Sequence, residues 1–400
     1  MIIGLYLNTN SSFGGVHQYA LTLLRALEKI DKKNLVLDNY KNFFVRISQY
    51  KKNHQHQRNP QTIHHQHISN FIKENIFLLL VWIHVLPIIK FLYRTLNGVT
   101  YNKLNDRRLD IILFPVLTFE IILCDKPFIV CIHDLQHKQQ QFPESVAKGQ
   151  QKIRDYLVRY AVSHATHIIT ESNVGKQNLI TLYSCNFKKL SSLPYIATPT
   201  LTNSVSPINI RKVMRKFHLE KISYVLYPAN FWPHKNHFNL VKALKILALE
   251  KKNISLVLTG SSDVSYSTYD EVMKLIHDFH LSKQVSYKGY VTDIELSVLY
   301  KYAKALVMPT FYGPTNLPVV EAWNFGIPVV TSNLPDIKET TQHAALLADP
   351  NSPSDIAEKL SIALYDNSIR EKLIRTGKKI LQHWTLKEFS KELDLIFKRV

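Results

Sequence analysis

Apolar and polar residues along this chain follow the pattern of α/β proteins, in which a short apolar run is followed by a polar turn and an amphipathic helix. The clearest example is ALVMPTFYGPTNLPVVEAWNFGIPVVTS, residues 305–332. Residues 305–309 predict a strand, 310–316 a loop rich in Gly, Pro, Thr and Asn, and 317–324 a helix before a second strand at 327–331. A helix that begins at the carboxyl end of a parallel strand binds anions such as a diphosphate, because its first N–H groups have no helical partners.

Two residues carry the predicted chemistry of this β-loop-α-β unit. Asn316 can cap the helix, and Glu321 lies about one turn further along, where its carboxylate can hold two vicinal hydroxyls of a ribose. Taken alone, such a unit is more often an ordinary turn with a solvated Glu. Further polar clusters at other strand ends favour the interpretation as a ligand site.

The same pattern recurs on both sides of residues 194–207, PYIATPTLTNSVSP, whose composition predicts a linker. We expect strands at residues 1–7, 110–115, 127–132 and 165–170 before it, and at 223–228, 254–259 and 284–287 after it. Helices are predicted from about residue 16, at 150–165, 173–183, 237–249, 292–302 and 386–400. The fold class is therefore α/β, with two doubly wound halves and a ligand cleft between them.

Polar clusters follow two predicted strands of the first half. Gly14 and Gly15 follow the first strand, and they let the backbone approach a ligand, although many turns need glycine only for φ > 0. His133 and Asp134 follow the strand at 127–132. A neutral imidazole can donate one hydrogen bond to a sugar hydroxyl and accept another, and Asp134 can orient the ring.

A third cluster, NFWPHKNH at residues 230–237, follows the first strand of the second half. Lys235 lies there in a turn that contains Trp and Pro, and its ammonium group can neutralise a diphosphate leaving group. An exposed Lys is usually only solvated, but the polar and aromatic neighbours at a strand end favour a functional interpretation.

Composition excludes several classes of protein. The 400 residues are 46% hydrophobic and 20% charged, as in a folded globular protein, and the net charge of +19 favours anionic partners. No nucleic-acid-binding motif is present, so we expect no nucleic-acid partner. The three cysteines form neither a disulfide framework nor a metal clip, and residues 1–12 lack the basic region of a secretory signal. We therefore expect a cytoplasmic protein.

Two further segments have an unusual composition. Residues 51–67 are rich in His and Gln but have no Cys or carboxylate at ligand spacing, so we predict an exposed loop and no metal. Residues 76–89 are apolar but shorter than the roughly 20 residues of a membrane span. The stretch 76–94 is either a core helix or a segment at the interface of an anionic membrane.

With these residues assembled, the chain resembles the retaining glycosyltransferases of family four, which have the two-domain GT-B fold. The resemblance is carried by Gly14-Gly15, His133-Asp134, the 232–237 segment, Gly289-Tyr290 and GPTNLPVVEAWNFGIPVV. It implies two Rossmann-like, doubly wound domains that face each other across a cleft. The first would comprise residues 1–200 with a C-terminal helix, 385–400, crossing back to it, and the second residues 201–384.

The resemblance also implies roles for individual residues. Lys235 would contact the donor diphosphate, Glu321 the donor ribose and His133 the transferred sugar, and these three are the expected catalytic residues. The expected donor-binding residues are Gly14, Gly15, Asn230, Lys235, Gly289, Tyr290, Val291, Gly313, Pro314, Thr315, Asn316, Leu317 and Glu321. The backbone of 289–291 would contact the base, and neither a metal nor another cofactor would be needed.

Two positions depart from the family pattern. The family commonly has a Glu where this chain has Gly313 and an Arg where it has Asn230. Backbone amides of 314–316 and the Asn316 side chain would replace the contacts of that Glu. A GPTN-type loop of this kind resembles a subgroup of mannosyl- or similar transferases that build bacterial surface polysaccharides.

The implied function is transfer of a sugar, with retention, from a GDP-mannose-like or UDP-sugar donor. The acceptor would be a glycan or lipid-linked molecule in O-antigen or capsule synthesis, with peripheral contact to the inner face of the cytoplasmic membrane. The competing interpretation is a catalytically degenerate GT-B protein that acts as a nucleotide- or partner-binding scaffold. An assay for hydrolysis of the donor or transfer of its sugar distinguishes the transferase from the scaffold.

Overall fold

The structure is a computed structural model. It describes residues 1–7, 15–31, 35–38, 44–46, 91, 94–95, 98–140, 142–146, 149–197, 201–252, 254–313 and 317–400. The chain forms two compact units, which we call the first and the second unit. The first comprises Met1–Gln141, Ser145–Leu193 and Leu386–Val400, and the second comprises Phe142–Glu144 and Pro194–Thr385.

Most of the described strands are followed along the chain by a helix. The strands are β1 (Ile3–Leu7), β2 (Leu35–Asp38), β3 (Phe44–Arg46), β4 (Ile111–Phe114), β5 (Phe128–Cys131), β6 (His167–Thr170), β7 (Leu190–Ser192), β8 (Tyr224–Pro228), β9 (Ser255–Thr259), β10 (Val285–Tyr287), β11 (Ala305–Met308), β12 (Val329–Ser332) and β13 (Leu346–Ala348). The helices are α1 (Gly15–Ile30), α2 (Gly98–Leu104), α3 (Gln136–Gln139), α4 (Pro143–Val146), α5 (Gln150–His164), α6 (Asn173–Tyr183), α7 (Pro207–Lys216), α8 (His237–Leu249), α9 (Tyr269–Asp278), α10 (Asp293–Tyr302), α11 (Leu317–Phe325), α12 (Pro335–Thr341), α13 (Pro353–Tyr365), α14 (Asn367–His383) and α15 (Leu386–Lys398).

The first unit is built on a sheet with the strand order β3-β2-β1-β4-β5-β6-β7. Neighbouring strands are parallel except β2 and β3, which are antiparallel. Strands β1, β4, β5 and β6 are buried along their whole length. A parallel sheet covered on both faces needs apolar residues on both, and that is why these strands are continuous apolar runs in the sequence.

Helices α1 and α15 pack against each other in the first unit. On α1, the side chains of Tyr19, Leu23, Leu24 and Leu27 are buried. The ring of Tyr19 meets Phe389 of α15 edge to face, with 6.0 Å between the centroids. The apolar stripe of the last helix is therefore covered by the first helix.

The second unit is built on a fully parallel sheet with the order β10-β9-β8-β11-β12-β13. The first strand of this sheet along the chain is β8, and the next two, β9 and β10, extend the sheet on one side of it. Strand β11 then pairs on the other side of β8, and β12 and β13 extend the sheet from there. The strand order therefore reverses between β8 and β11. Open α/β sheets bind ligands at the carboxyl ends of the strands at such a reversal.

Several sequence-based predictions are refined by the structure. Gly15 is the first residue of α1 rather than part of the preceding loop. Leu201 and Val205, which were assigned to the linker, are buried in the core of the second unit. Gly14, the His-rich residues 51–67, the apolar residues 76–90 and Pro314, Thr315 and Asn316 lie outside the described residues.

We predict that Gly377→Ala destabilises the second unit. A Cβ at Gly377 of α14 would lie 2.4 Å from Cδ1 of Trp323 on α11. The indole cannot easily retreat, because it is buried and its Nε1–H donates to the Ala344 carbonyl at 3.1 Å. We expect a loss of about 1–3 kcal/mol in the free energy of unfolding, measured by urea denaturation.

Gly98→Ala is the matched control for this substitution. An added Cβ at Gly98 in α2 would meet nothing within 4 Å. Its free energy of unfolding should change by less than about 1 kcal/mol. Equal effects of the two substitutions would contradict the proposed contact between α11 and α14.

Candidate active site

The turn after β8 and the loop after β11 are hydrogen-bonded to each other. The His234 carbonyl accepts from the Phe311 N–H at 2.8 Å and from the Thr310 hydroxyl at 3.0 Å. Lys235 follows directly, in a short 3₁₀ turn, and its own carbonyl accepts from the buried Tyr227 hydroxyl at 2.6 Å. The backbone of Lys235 is thus fixed from β8 beneath it and lies beside the loop after β11.

Asn236 joins this turn to two further strand ends. Its side-chain amide donates to the carbonyls of Pro309 and Pro350, both at 2.7 Å. The residue is buried and has a φ of 60°, in the left-handed region that Asn tolerates better than most side chains do. One residue therefore provides the left-handed turn before α8 and satisfies two carbonyls at the ends of β11 and β13.

Gly313, at the position where the family resemblance implies a Glu, has a φ of 134°. Residues with a side chain rarely adopt that conformation, so the loop follows a path that a Glu would disfavour. After residues 314–316, α11 begins at the buried Leu317. The N-terminus of α11 therefore lies at the carboxyl end of β11, as the sequence predicts.

Glu321 is a buried carboxylate on α11, with 6% of its surface exposed. Its Oε2 accepts a hydrogen bond of 2.7 Å from the hydroxyl of Tyr300, which is fully buried on α10. Burial and then the charge of Glu321 raise the pKa of Tyr300 well above its usual value. The hydroxyl therefore stays protonated and donates to Glu321 at any physiological pH.

The loops after β8, β9 and β10 also form a connected group. The Asn230 side-chain oxygen accepts from the Ser261 N–H at 2.8 Å, and the Gly260 N–H donates to the Gly289 carbonyl at 3.0 Å. A Cβ at Gly260 would lie 2.4 Å from the Ala229 carbonyl oxygen, so this close approach requires glycine. Gly289, in contrast, faces open space. It precedes the exposed Tyr290 and the buried Val291.

His133 lies at the carboxyl end of β5 in the first unit. Its Nδ1 contacts a carboxylate oxygen of Glu171, and its Nε2 donates to the Pro115 carbonyl at 2.7 Å. Since both partners are acceptors, both ring nitrogens carry a proton and the imidazole is charged, not neutral as the sequence led us to expect. Burial acts to lower the pKa of His133, but the charge and hydrogen bond of Glu171 outweigh it and the pKa is raised.

Glu171 takes the place that we expected Asp134 to fill. Asp134 instead forms an ion pair with Arg154 at 2.5 Å. A charged ring has no lone pair to accept a hydrogen bond from a sugar. For His133 to contact a sugar hydroxyl, that hydroxyl has to replace Glu171 or the Pro115 carbonyl as acceptor. Of the sequence-predicted residues, Lys235, Asn230, Gly289, Gly313, Leu317 and Glu321 lie in the second unit, and Gly15 and His133 in the first.

The described part of the chain lacks two features that would suggest other kinds of site. No helix there has the length and apolar character that a membrane span requires. No group of three or more His, Cys, Asp or Glu side chains within those residues is arranged to hold a metal ion.

The fold is that of the GT-B glycosyltransferases. A glycosyltransferase from Rickettsia africae ESF-5 superposes with a TM-score of 0.71, at 14% identity over 100% of this chain and 98% of that one. Anabaena Alr3699/HepE in complex with UDP and glucose superposes with a TM-score of 0.72, at 15% identity over 100% of both chains. These likenesses confirm the predicted pair of Rossmann-like domains.

Parts of the chain are also similar in sequence to known proteins. Residues 210–380 match the family described as "Glycosyl transferases group 1". O-antigen chain mannosyltransferase B of Escherichia coli is 28% identical over 253 residues, 62% of this chain and 64% of that relative. O-antigen chain mannosyltransferase RfbU of Salmonella typhimurium is 26% identical over 222 residues, 56% of each chain. The matches thus span less than two thirds of either relative, and both of these relatives are O-antigen mannosyltransferases.

We predict that the pKa of His133 lies above the ordinary histidine value of about 6.5 and falls below it in Glu171→Gln. Without the carboxylate, burial remains and favours the neutral ring. The titration is followed by NMR of protein with ¹³C-labelled histidine. Asp134→Asn removes a nearby carboxylate that does not contact the ring, and it should lower this pKa less than Glu171→Gln does.

The same shift predicts how stability depends on pH. Because the folded-state pKa is raised, the ion pair stabilises the protein fully below the unfolded pKa of about 6.5, and this contribution is lost as the pH rises through the folded value. The free-energy difference between wild type and Glu171→Gln should therefore shrink as the pH rises. A difference that grows with pH would contradict a charged His133.

Proposed function

We propose that this protein is a retaining glycosyltransferase of the GPTN-loop subgroup. It transfers a sugar from a nucleoside-diphosphate sugar to a glycan or lipid-linked acceptor in the synthesis of a surface polysaccharide such as O-antigen or capsule. The O-antigen mannosyltransferases among its homologues support the acceptor class and a GDP-mannose-like or UDP-sugar donor. The structural neighbour solved with UDP and glucose supports a nucleotide-diphosphate donor.

The observation that carries this proposal is the junction of the Lys235 turn with the loop that leads to α11. When the bond between sugar and phosphate breaks, negative charge grows on the departing diphosphate. Lys235 brings an ammonium group on a turn whose His234 carbonyl is bonded to Thr310 and Phe311. The N-terminus of α11 adds backbone N–H groups and the positive end of a helix dipole.

In this proposal the acceptor hydroxyl attacks the sugar on the same face that the diphosphate leaves. The configuration of the transferred sugar is therefore retained. The departing phosphate oxygen accepts the proton of the acceptor hydroxyl, so no metal and no separate base is required. The amides of 314–316 take the place of the Glu contacts, in keeping with the conformation of Gly313. Glu321 holds the donor ribose, the backbone of 289–291 holds the base, and His133 contacts the transferred sugar.

A cytoplasmic location with peripheral contact to the anionic inner face of the membrane belongs to the same proposal. The net charge of +19 supports it, because a positively charged surface is attracted to anionic head groups.

A scaffold that binds the nucleotide without transfer is the second candidate. The observation that favours it is the Gly at position 313, where a contacting carboxylate is missing. Incubation with a candidate donor and a lipid-linked glycan acceptor separates the two. Formation of an α-linked product from an α-linked donor supports the transferase. Nucleotide binding with neither transfer nor donor hydrolysis supports the scaffold.

The donor base can be identified by thermal shift. A ligand that binds only the folded state raises the unfolding temperature in proportion to RT ln(1 + [L]/Kd). We expect GDP or UDP, and the matching nucleotide sugar, to raise it far more than the corresponding monophosphate at equal concentration. An equal shift by monophosphate and diphosphate would contradict a diphosphate site.

We predict that Lys235→Ala lowers turnover at saturating donor by about 10²–10³-fold, as loss of one preorganised charge contact does. Lys242→Ala is the matched control, since Lys242 is an exposed lysine on α8, the helix that follows this turn. Its turnover should stay within about twofold of wild type, because surface charges away from a site contribute little. Unchanged turnover in Lys235→Ala would remove Lys235 from the site.

A further inference from the structure

The proposed ribose-binding carboxylate is held by a tyrosine to which the sequence assigns no role. Tyr300 is the third residue from the end of α10, and its hydroxyl donates to Oε2 of Glu321 at 2.7 Å. Its ring stacks on Phe325, the last residue of α11, with 5.3 Å between centroids and 14° between planes. Both the hydroxyl and the ring of Tyr300 therefore contact the helix that carries Glu321.

We propose that Tyr300 is a positioning residue that orients the Glu321 carboxylate for the vicinal hydroxyls of the donor ribose. This inference rests on the proposed function, since it specifies how the ribose is recognised. The hydroxyl of Tyr300 contacts no ligand itself. It determines which oxygen of Glu321 points toward the protein.

The physical reason is the rotational freedom of a glutamate side chain. Ordering a Glu costs more conformational entropy than ordering most residues, and a site that is ordered before binding avoids that cost when the ligand arrives. Holding two adjacent hydroxyls requires both position and rotation of the carboxylate to be fixed. A carboxylate has about four lone-pair sites, so one bond from Tyr300 is compatible with further acceptance.

The position of Tyr300 is itself well defined. Its side chain is fully buried, and the stacked Phe325 limits rotation of the ring. The raised pKa of Tyr300 keeps its hydroxyl in the donating form. The hydroxyl therefore remains a donor throughout the physiological pH range, and its bond to Glu321 joins α10 to α11.

The test compares ribonucleotides with 2′-deoxyribonucleotides in wild type and two tyrosine variants. Tyr300→Phe keeps the ring pair and removes only the hydroxyl. Tyr224→Phe is the matched control, because Tyr224 is equally buried in the same unit and its hydroxyl donates at 2.8 Å to the Leu299 carbonyl and not to Glu321. Dissociation constants for UDP and dUDP, and for GDP and dGDP, are measured by calorimetry after the unfolding temperature of each variant is recorded.

We expect wild type to bind the ribo form of its nucleotide about tenfold more tightly than the deoxy form, the value of one good polar contact. Tyr300→Phe should lose most of this preference by weakening the ribo form, with the deoxy form almost unchanged. Tyr224→Phe should keep the wild-type ratio even if its unfolding temperature falls as much. A purely structural role for Tyr300 would lower stability and leave the ratio intact, and that result overturns the inference.

A second pair of variants keeps the test valid if the Tyr300→Phe protein, in which Phe lies beside a buried carboxylate, does not fold. In Glu321→Gln, Tyr300 still donates to the amide oxygen and leaves the NH₂ group for the ribose. That group can donate to a hydroxyl but cannot accept from two, so the ribo preference should fall. In the double variant with Tyr300→Phe the amide is free to turn, so part of the preference should return. No difference between these two variants contradicts an orienting role for Tyr300.

The outcomes also separate this inference from the proposed function. If wild type binds both forms equally, the ribose role of Glu321 fails and the inference fails with it. If wild type and Tyr300→Phe share one preference and Glu321→Gln alone loses it, the proposed function stands and only the role of Tyr300 is overturned.

Discussion

The candidate donor site depends on the two hydrogen bonds from the side-chain amide of Asn236. They join the start of α8 to the carbonyls of Pro309 and Pro350, and so connect the end of β8 to the ends of β11 and β13. Buried carbonyls without donors are costly. The Asn236 amide satisfies the Pro309 carbonyl, and it shares the Pro350 carbonyl with the side-chain amide of Asn239, which donates at 2.9 Å. Because Asn also tolerates the left-handed turn at this position, few other residues could replace it. These bonds link the strand ends on the two sides of the point where the strand order reverses.

This arrangement sets the electrostatics of the site. Lys235 stands on a turn fixed by Tyr227, and the loop bonded to that turn leads to the N-terminus of α11. An ammonium group and a helix N-terminus at the same sheet edge both favour an anion, and together they suit a leaving group whose charge increases during reaction. The glycine at 313 has a φ of 134°, a conformation that a residue with a side chain, such as the Glu of the family pattern, rarely adopts.

Much of this could be predicted from the sequence, because local pattern determines the elements. The apolar runs became β8, β9, β11 and β12, and the predicted helix at 237–249 matches α8. The partnerships could not be predicted, because they join residues far apart in sequence. Glu171 is 38 residues from His133, and Tyr300 is 21 from Glu321. The position of Glu171 directly after β6 was a usable signal, since polar residues at parallel strand ends meet at one edge; for Tyr300, a residue within a helix, no comparable signal exists.

A crystal structure of the protein with the nucleoside diphosphate that gives the largest thermal shift tests the central claim most directly. The account predicts that the diphosphate lies at the carboxyl edge of the second sheet, with a phosphate oxygen within hydrogen-bond distance of the Lys235 Nζ and of a backbone N–H at the start of α11. The ribose hydroxyls should lie against Glu321. A diphosphate bound at another place, or bound at this edge without contact to Lys235 or to the start of α11, would contradict the account.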